Sequence, residues 1–134
     1  MSECELPAAP GAYVLLIRLD RPLARTVGRL GPVCLAPGLY GYCGSARGPG
    51  GIRARVRRHL RREKAIRWHV DHLTGAAAGI RAIAKPGGDE CALARRLLGQ
   101  NGVEVPVAGF GSSDCRSCQA HLLRLPAGLR LSIL

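Results

Sequence analysis

Arg55 and His59 stand four residues apart within the run Ile52 to Arg62. On a helix that spacing puts both side chains on one face. A guanidinium so placed can grip two phosphate oxygens in its planar fork, and together the pair could hold a phosphate and the charge that develops on it. Glu90 offers a hard oxygen ligand for Mg²⁺ or Mn²⁺, ions that often take one or two carboxylates and keep several waters. Tyr13 and Tyr42 lie in two apolar segments, where their hydroxyls could bond an attacking water and a phosphate oxygen. An activated water, a cation on the scissile phosphate and relief of charge on the leaving oxygen are what phosphodiester hydrolysis needs. Taken singly, each residue has an ordinary explanation. The tyrosines suit sheet packing, Arg55 a solvated helix face, His59 a surface, and Glu90 the first turn of a helix. Their joint order carries the argument.

The elements that must position them can be read from periodicity. Gly11 to Leu19 (GAYVLLIRL) is a buried strand, and Leu39 to Gly44 a second, hairpin-paired with it after the Pro37-Gly38 turn. Val33 to Leu35 is a short strand, while residues 20–31 carry polar residues and two glycines and show no element. A glycine-rich loop, residues 45–51, leads into a helix over Ile52 to Arg62, with Ile52, Val56 and Leu60 on its inner face. Ala65 to Leu73 is read as a second helix with Ile66, Val70 and Leu73 inward, and Gly79 to Lys85 as a third strand. Asp89 caps a helix over residues 90–99, with Leu93, Leu97 and Leu98 on its apolar side. Short strands are expected at 105–110, 120–125 and 128–133. The class is α+β: a small, largely antiparallel central sheet flanked by helices, with extra C-terminal strands. A parallel doubly wound sheet is excluded because the first strands are too close in sequence for a helical crossover.

The chain has 134 residues, the size of one domain, taken as residues 1–134. Hydrophobic residues make up 47% and charged residues 22%, which excludes a disordered tail protein. Twenty Lys and Arg against nine Asp and Glu leave a net charge of +11, a field that attracts polyanions, nucleic acid foremost. Arg53, Arg57, Arg58, Arg61 and Arg62 cluster this charge on one helix and are candidates to track a phosphate backbone. They show no base-reading pattern, so weak sequence preference is expected. The acidic start, Met1 to Glu5, has no basic n-region, and Val14 to Ile17 is too short for a membrane span. The expectation is a cytoplasmic, nucleoid-associated protein without a membrane partner. In such a reducing compartment the six cysteines read as thiols or metal ligands.

The ordered set resembles the GIY-YIG nuclease superfamily. Gly11-Ala12-Tyr13 matches its first motif, Tyr42-Cys43-Gly44 its second, Arg55 to His59 its R-x-x-x-H helix, and Glu90 its metal-binding glutamate. The likeness is nearer to a small stand-alone branch, sometimes fused to endonuclease III, through Arg67 to Leu73, Glu90 to Leu93 and Gly109 to Leu122. Ala12 replaces the usual isoleucine, and Gly48 to Gly51 lengthens the loop, leaving Arg53 and Arg55 both open as the motif arginine. The resemblance implies a divalent-metal-dependent endonuclease in which Tyr13 is the general base. DNA is the expected partner, with RNA also open, and association with DNA-repair enzymes is implied. Structure rather than sequence selectivity is expected, since no separate DNA-reading domain is seen.

Two further clusters fall outside that set. His69, Asp71 and His72 share one helical turn and could bind metal or DNA, although a partly buried His–Asp hydrogen bond is the preferred reading. Cys115, Cys118 and His121, with Cys91, are ligand types suited to zinc. Only one close cysteine pair is present, so reduced cysteines in a packed turn are preferred over Zn²⁺. Trp68 is read as core, with base stacking the alternative. Two rivals to a nuclease remain: a non-catalytic nucleic-acid-binding module and a zinc-stabilised adaptor domain.

Overall fold

The computed structural model describes residues 6–61, 64–111 and 118–129. In chain order it has β1 (Gly11–Leu19), β2 (Leu23–Val27), a 3-10 turn (Gly28–Leu30), β3 (Gly31–Leu35), β4 (Gly38–Ala46), α1 (Gly51–Leu60), α2 (Asp71–Thr74), β5 (Gly79–Pro86), α3 (Glu90–Leu98) and β6 (Leu122–Leu125). This is the expected α+β class. Four strands form one sheet in the order β5-β1-β4-β6, every neighbouring pair antiparallel, and β2 and β3 form a separate hairpin.

β1 is apolar from Gly11 to Ile17 because both its faces are covered there; Arg18 is exposed. Its alternation sends Tyr13, Leu15 and Ile17 into one core with Ile52 and Val56 of α1. Ala12, Val14 and Leu16 enter a second core with Leu93 and Leu97 of α3. The register carries this division onto β4: Tyr13 lies opposite Gly44, Leu15 opposite Tyr42, and Val14 opposite Cys43. Tyr13 and Tyr42 therefore share the α1 face, and Cys43 takes the α3 face.

The glycine-rich loop is needed for docking the lead-in. Gly51 has a φ of +59°, and a Cβ there would fall 2.2 Å from the Ala8 carbonyl oxygen. Ile52 N–H donates to the Ala9 carbonyl and Arg53 N–H to that of Pro7, at 3.0 and 2.9 Å. The N-terminal donors of α1 are thus satisfied by the chain itself rather than left for an anion. At α3 the expected cap forms, with the Asp89 carboxylate accepting from Cys91 N–H at 3.0 Å.

Four expectations need correction. The helix expected over 65–73 is only Asp71–Thr74, and Ile66 is 57% exposed rather than inward. The Asp71 carboxylate takes the backbone N–H groups of Arg67 and Trp68, which fixes a turn there instead of a helix. β2 went unread because only its end residues, Leu23 and Val27, are buried. No strand forms at 105–110, where Pro106 lacks a ladder donor; a Glu104–Arg124 bridge precedes the stretch and single backbone hydrogen bonds join Gly109 to Gln119 and Phe110 to His121. Of the expected last strand, Gly128 and Leu129 are not strand, and the remainder lies outside the described residues. No helix among the described residues is long and apolar enough to cross a membrane.

Candidate active site

The α1 face of the sheet brings Tyr13, Tyr42, Arg55 and His59 together. The Tyr13 hydroxyl lies 2.7 Å from His59 Nε2, with Tyr13 1% and His59 0% exposed. Gly44, opposite Tyr13, makes room for the ring, since a Cβ there would sit 2.4 Å from the hydroxyl. The Tyr42 ring meets His59 edge-on at 6.0 Å. Burial raises the Tyr13 hydroxyl far above its ordinary range, the Tyr42 hydroxyl adds to this, and Arg55 opposes it. Burial likewise pushes Tyr42 up to about 12, again against Arg55. Burial drives His59 down to about 3, with Asp71 opposing and Arg58, Lys64 and Arg55 adding. The pair is therefore a neutral phenol beside a neutral imidazole. His59 Nδ1 is buried and has no hydrogen-bond partner among the described residues.

Beside this pair the Trp68 ring lies 5.6 Å from that of His59 and carries two guanidiniums over it. Arg55 Cζ lies 4.6 Å and Arg58 Cζ 4.2 Å from the indole centroid. Arg58 also forks onto Asp71 at 2.9 and 3.0 Å. Burial alone would raise the Asp71 carboxyl, but Arg58 and the two backbone N–H groups outweigh it and hold it low. Arg55, Arg58, Arg67 and Trp68 line an open cleft of about 220 Å³ with Ala46 and Pro49. Tyr13 and His59 are not part of the lining, which His59 meets through Trp68.

This geometry sorts the arginines. Arg53 Nε donates to the Leu6 carbonyl at 2.8 Å and secures the lead-in. Arg55, which faces the cleft and acts on both tyrosines, is the arginine of the site. Arg58 was expected on the nucleic-acid surface, but its fork is committed to Asp71. Arg57 and Arg61 are exposed, and Arg62 lies outside the described residues.

Glu90 opens α3. One carboxylate oxygen, Oε2, is buried without a hydrogen bond, and the nearest cation is Arg47 at 3.7 Å. Its charge reaches Tyr42 and raises that hydroxyl further. A buried carboxylate oxygen with no donor is costly unless a cation meets it, and the Asp89 carboxylate and the Cys91 thiol lie with it within 4.8 Å of one another; the two carboxylates fit a hard divalent ion and the thiol does not.

The remaining histidines behave differently from expectation. Asp71 bonds Arg58, not a neighbouring histidine. His69 Nδ1 accepts from Gly111 N–H at 2.9 Å, and its ring packs edge-on against Phe110. Neither His69 nor His72 joins a group of three metal-capable side chains among the described residues. Cys91, Cys118 and His121 do form such a group, with their ligand atoms within 4.8 Å of one another. Cys115 lies outside the described residues. Trp68 is neither plain core nor a free stacking face. The signal was Arg55 and Arg58 at a helical i, i+3 spacing, with the one tryptophan of the chain shortly after them.

No curated protein and no solved structure matches the chain. One family, described as a domain of unknown function, DUF123, has a model that matches residues 12–132. That span runs from the first residues of β1 beyond β6 and takes in every side chain of the site, and on it the chain belongs to the DUF123 family.

Proposed function

We propose that the protein is a divalent-metal-dependent endonuclease of GIY-YIG type that hydrolyses phosphodiester bonds in DNA, selecting by structure rather than sequence. The observation that carries this reading is the Tyr13–His59 hydrogen bond beside an arginine-lined cleft, in a molecule of net charge +11. Arg55 grips the phosphate, leaving its stack on Trp68 to do so. Tyr13 takes a proton from the attacking water as its own passes to His59 Nε2. The water oxygen then bonds to phosphorus and the leaving oxygen departs. Burial keeps His59 a poor proton acceptor on its own, and an incoming phosphate charge reverses that balance by favouring the imidazolium. Glu90 and Asp89 would hold a divalent ion, which supplies charge relief at the phosphate. In the test, Glu90→Gln loses metal-dependent cleavage and keeps DNA binding; cleavage that survives the substitution removes the metal assignment.

A specific observation favours one rival. Tyr13 and His59 are almost fully buried and neutral, as a non-catalytic nucleic-acid-binding module would hold them. That module predicts retention of DNA, no metal-dependent product, and indifference to Tyr13→Phe.

A further inference from the structure

On the opposite face of the sheet, Cys91 of α3 meets Cys118 and His121 of the segment that enters β6. Cys91 sits in the first turn of α3, fixed there by the Asp89 cap. His121 is pinned at the entry to β6: its N–H donates to the Phe110 carbonyl and its carbonyl accepts from Cys43 N–H, both at 2.9 Å. Cys118 approaches from the segment before it. Cys91 Sγ lies 3.7 Å from His121 Nε2, and all three ligand atoms fall within 4.8 Å of one another. Donors on a tetrahedral zinc ion, with bonds of about 2.3 Å to sulfur and 2.0–2.1 Å to nitrogen, stand roughly 3.5–3.8 Å apart. The Cys91–His121 separation of 3.7 Å falls in this range, and Cys118 lies within 4.8 Å of both. Two thiols and an imidazole are soft and borderline donors, which suit zinc and not the hard ion expected at Glu90. Both cysteines are half-buried.

We infer that Cys91, Cys118 and His121 form a zinc site, distinct from the Tyr13–His59 site and separated from it by the sheet. The site ties α3 to the chain entering β6. Because α3 begins at Glu90, the zinc also fixes the backbone that carries that carboxylate.

The test is metal analysis of the full chain purified under reducing conditions, with cobalt substitution alongside. One zinc per chain is expected, and Co²⁺ should give sulfur-to-metal charge-transfer and tetrahedral ligand-field bands. Cys91→Ser and Cys118→Ser should each lose stoichiometric zinc, while Cys34→Ser, on the distant β2–β3 hairpin, keeps it. Should either variant fail to fold, the wild-type cobalt spectrum decides alone. The proposal is overturned by wild-type protein that holds no zinc and gives no tetrahedral cobalt spectrum. It is equally overturned by zinc that stays in both folded variants or leaves with Cys34→Ser.

Discussion

The hydroxyl of Tyr13 on β1 and Nε2 of His59 on α1 lie 2.7 Å apart, joined across 46 residues of chain. The contact clamps the helix to the sheet, and burial holds both groups in their neutral forms. Its cost appears in acid. His59 is driven from 6.5 down to about 3, so below pH 6.5 the unfolded chain binds a proton that the folded chain refuses. This contribution to stability is complete above about pH 6.5 and is lost progressively as the pH falls toward 3. In that window His59 adds a slope of up to about 1.4 kcal/mol per pH unit. Denaturant unfolding measured from pH 7 to 4 should show this descent in the wild type and a flatter profile in His59→Gln.

Gly44→Ala probes the space that the contact needs. The added methyl would meet the Tyr13 hydroxyl and ring at 2.4–2.7 Å, in a strand buried on that face. The ring must move away from His59, at a cost of about 1–3 kcal/mol for overpacking. A lower unfolding midpoint and loss of the Tyr13-dependent chemistry are expected together. Gly79→Ala on β5, where the new Cβ meets nothing nearer than 3.7 Å, is the matched control.

Asp71 holds more than an ion pair. It accepts from Arg58 and from the N–H groups of Arg67 and Trp68 while 1% exposed. Removing it in Asp71→Ala leaves four N–H donors, two of them from Arg58, without their acceptor, and the stability loss should be about 3 kcal/mol or more. Chemical denaturation measures it. Trp68 emission, the chain's sole tryptophan signal, should change in the folded variant as Arg58 is released.

Arg55 should account for about one phosphate contact. Its replacement by alanine is expected to weaken DNA binding and to lower the slope of log K against log salt by about 0.9. Arg95→Ala, on the exposed side of α3, should leave that slope unchanged. Binding titrations at three or four salt concentrations are sufficient.

Much of this framework could be read from the chain because its signals are local. The unbroken apolar run of β1, the Ile52 and Val56 spacing of α1 and the Asp89 cap of α3 each report their own element. Tyr13, Tyr42, Arg55 and His59 were singled out by order alone, and the structure places them together. What stayed hidden depends on distant partners. Residues 65–70 look helical until Asp71 takes two of their backbone donors. Arg58 looks like a free phosphate ligand until its carboxylate appears. Cys118 and His121 are close in sequence and Cys91 is a named candidate beside them, but only the packing of α3 against the sheet shows that its thiol reaches them.

The most direct measurement is incubation of the pure protein, with and without Mg²⁺ or Mn²⁺, against labelled duplex, single-stranded, flap and four-way-junction DNAs, beside Tyr13→Phe. The account predicts nicking by the wild type only when metal is present, strongest on one of the branched substrates, and loss of product in the variant. DNA bound across the panel with no metal-dependent product, or equal cleavage by Tyr13→Phe, would contradict it.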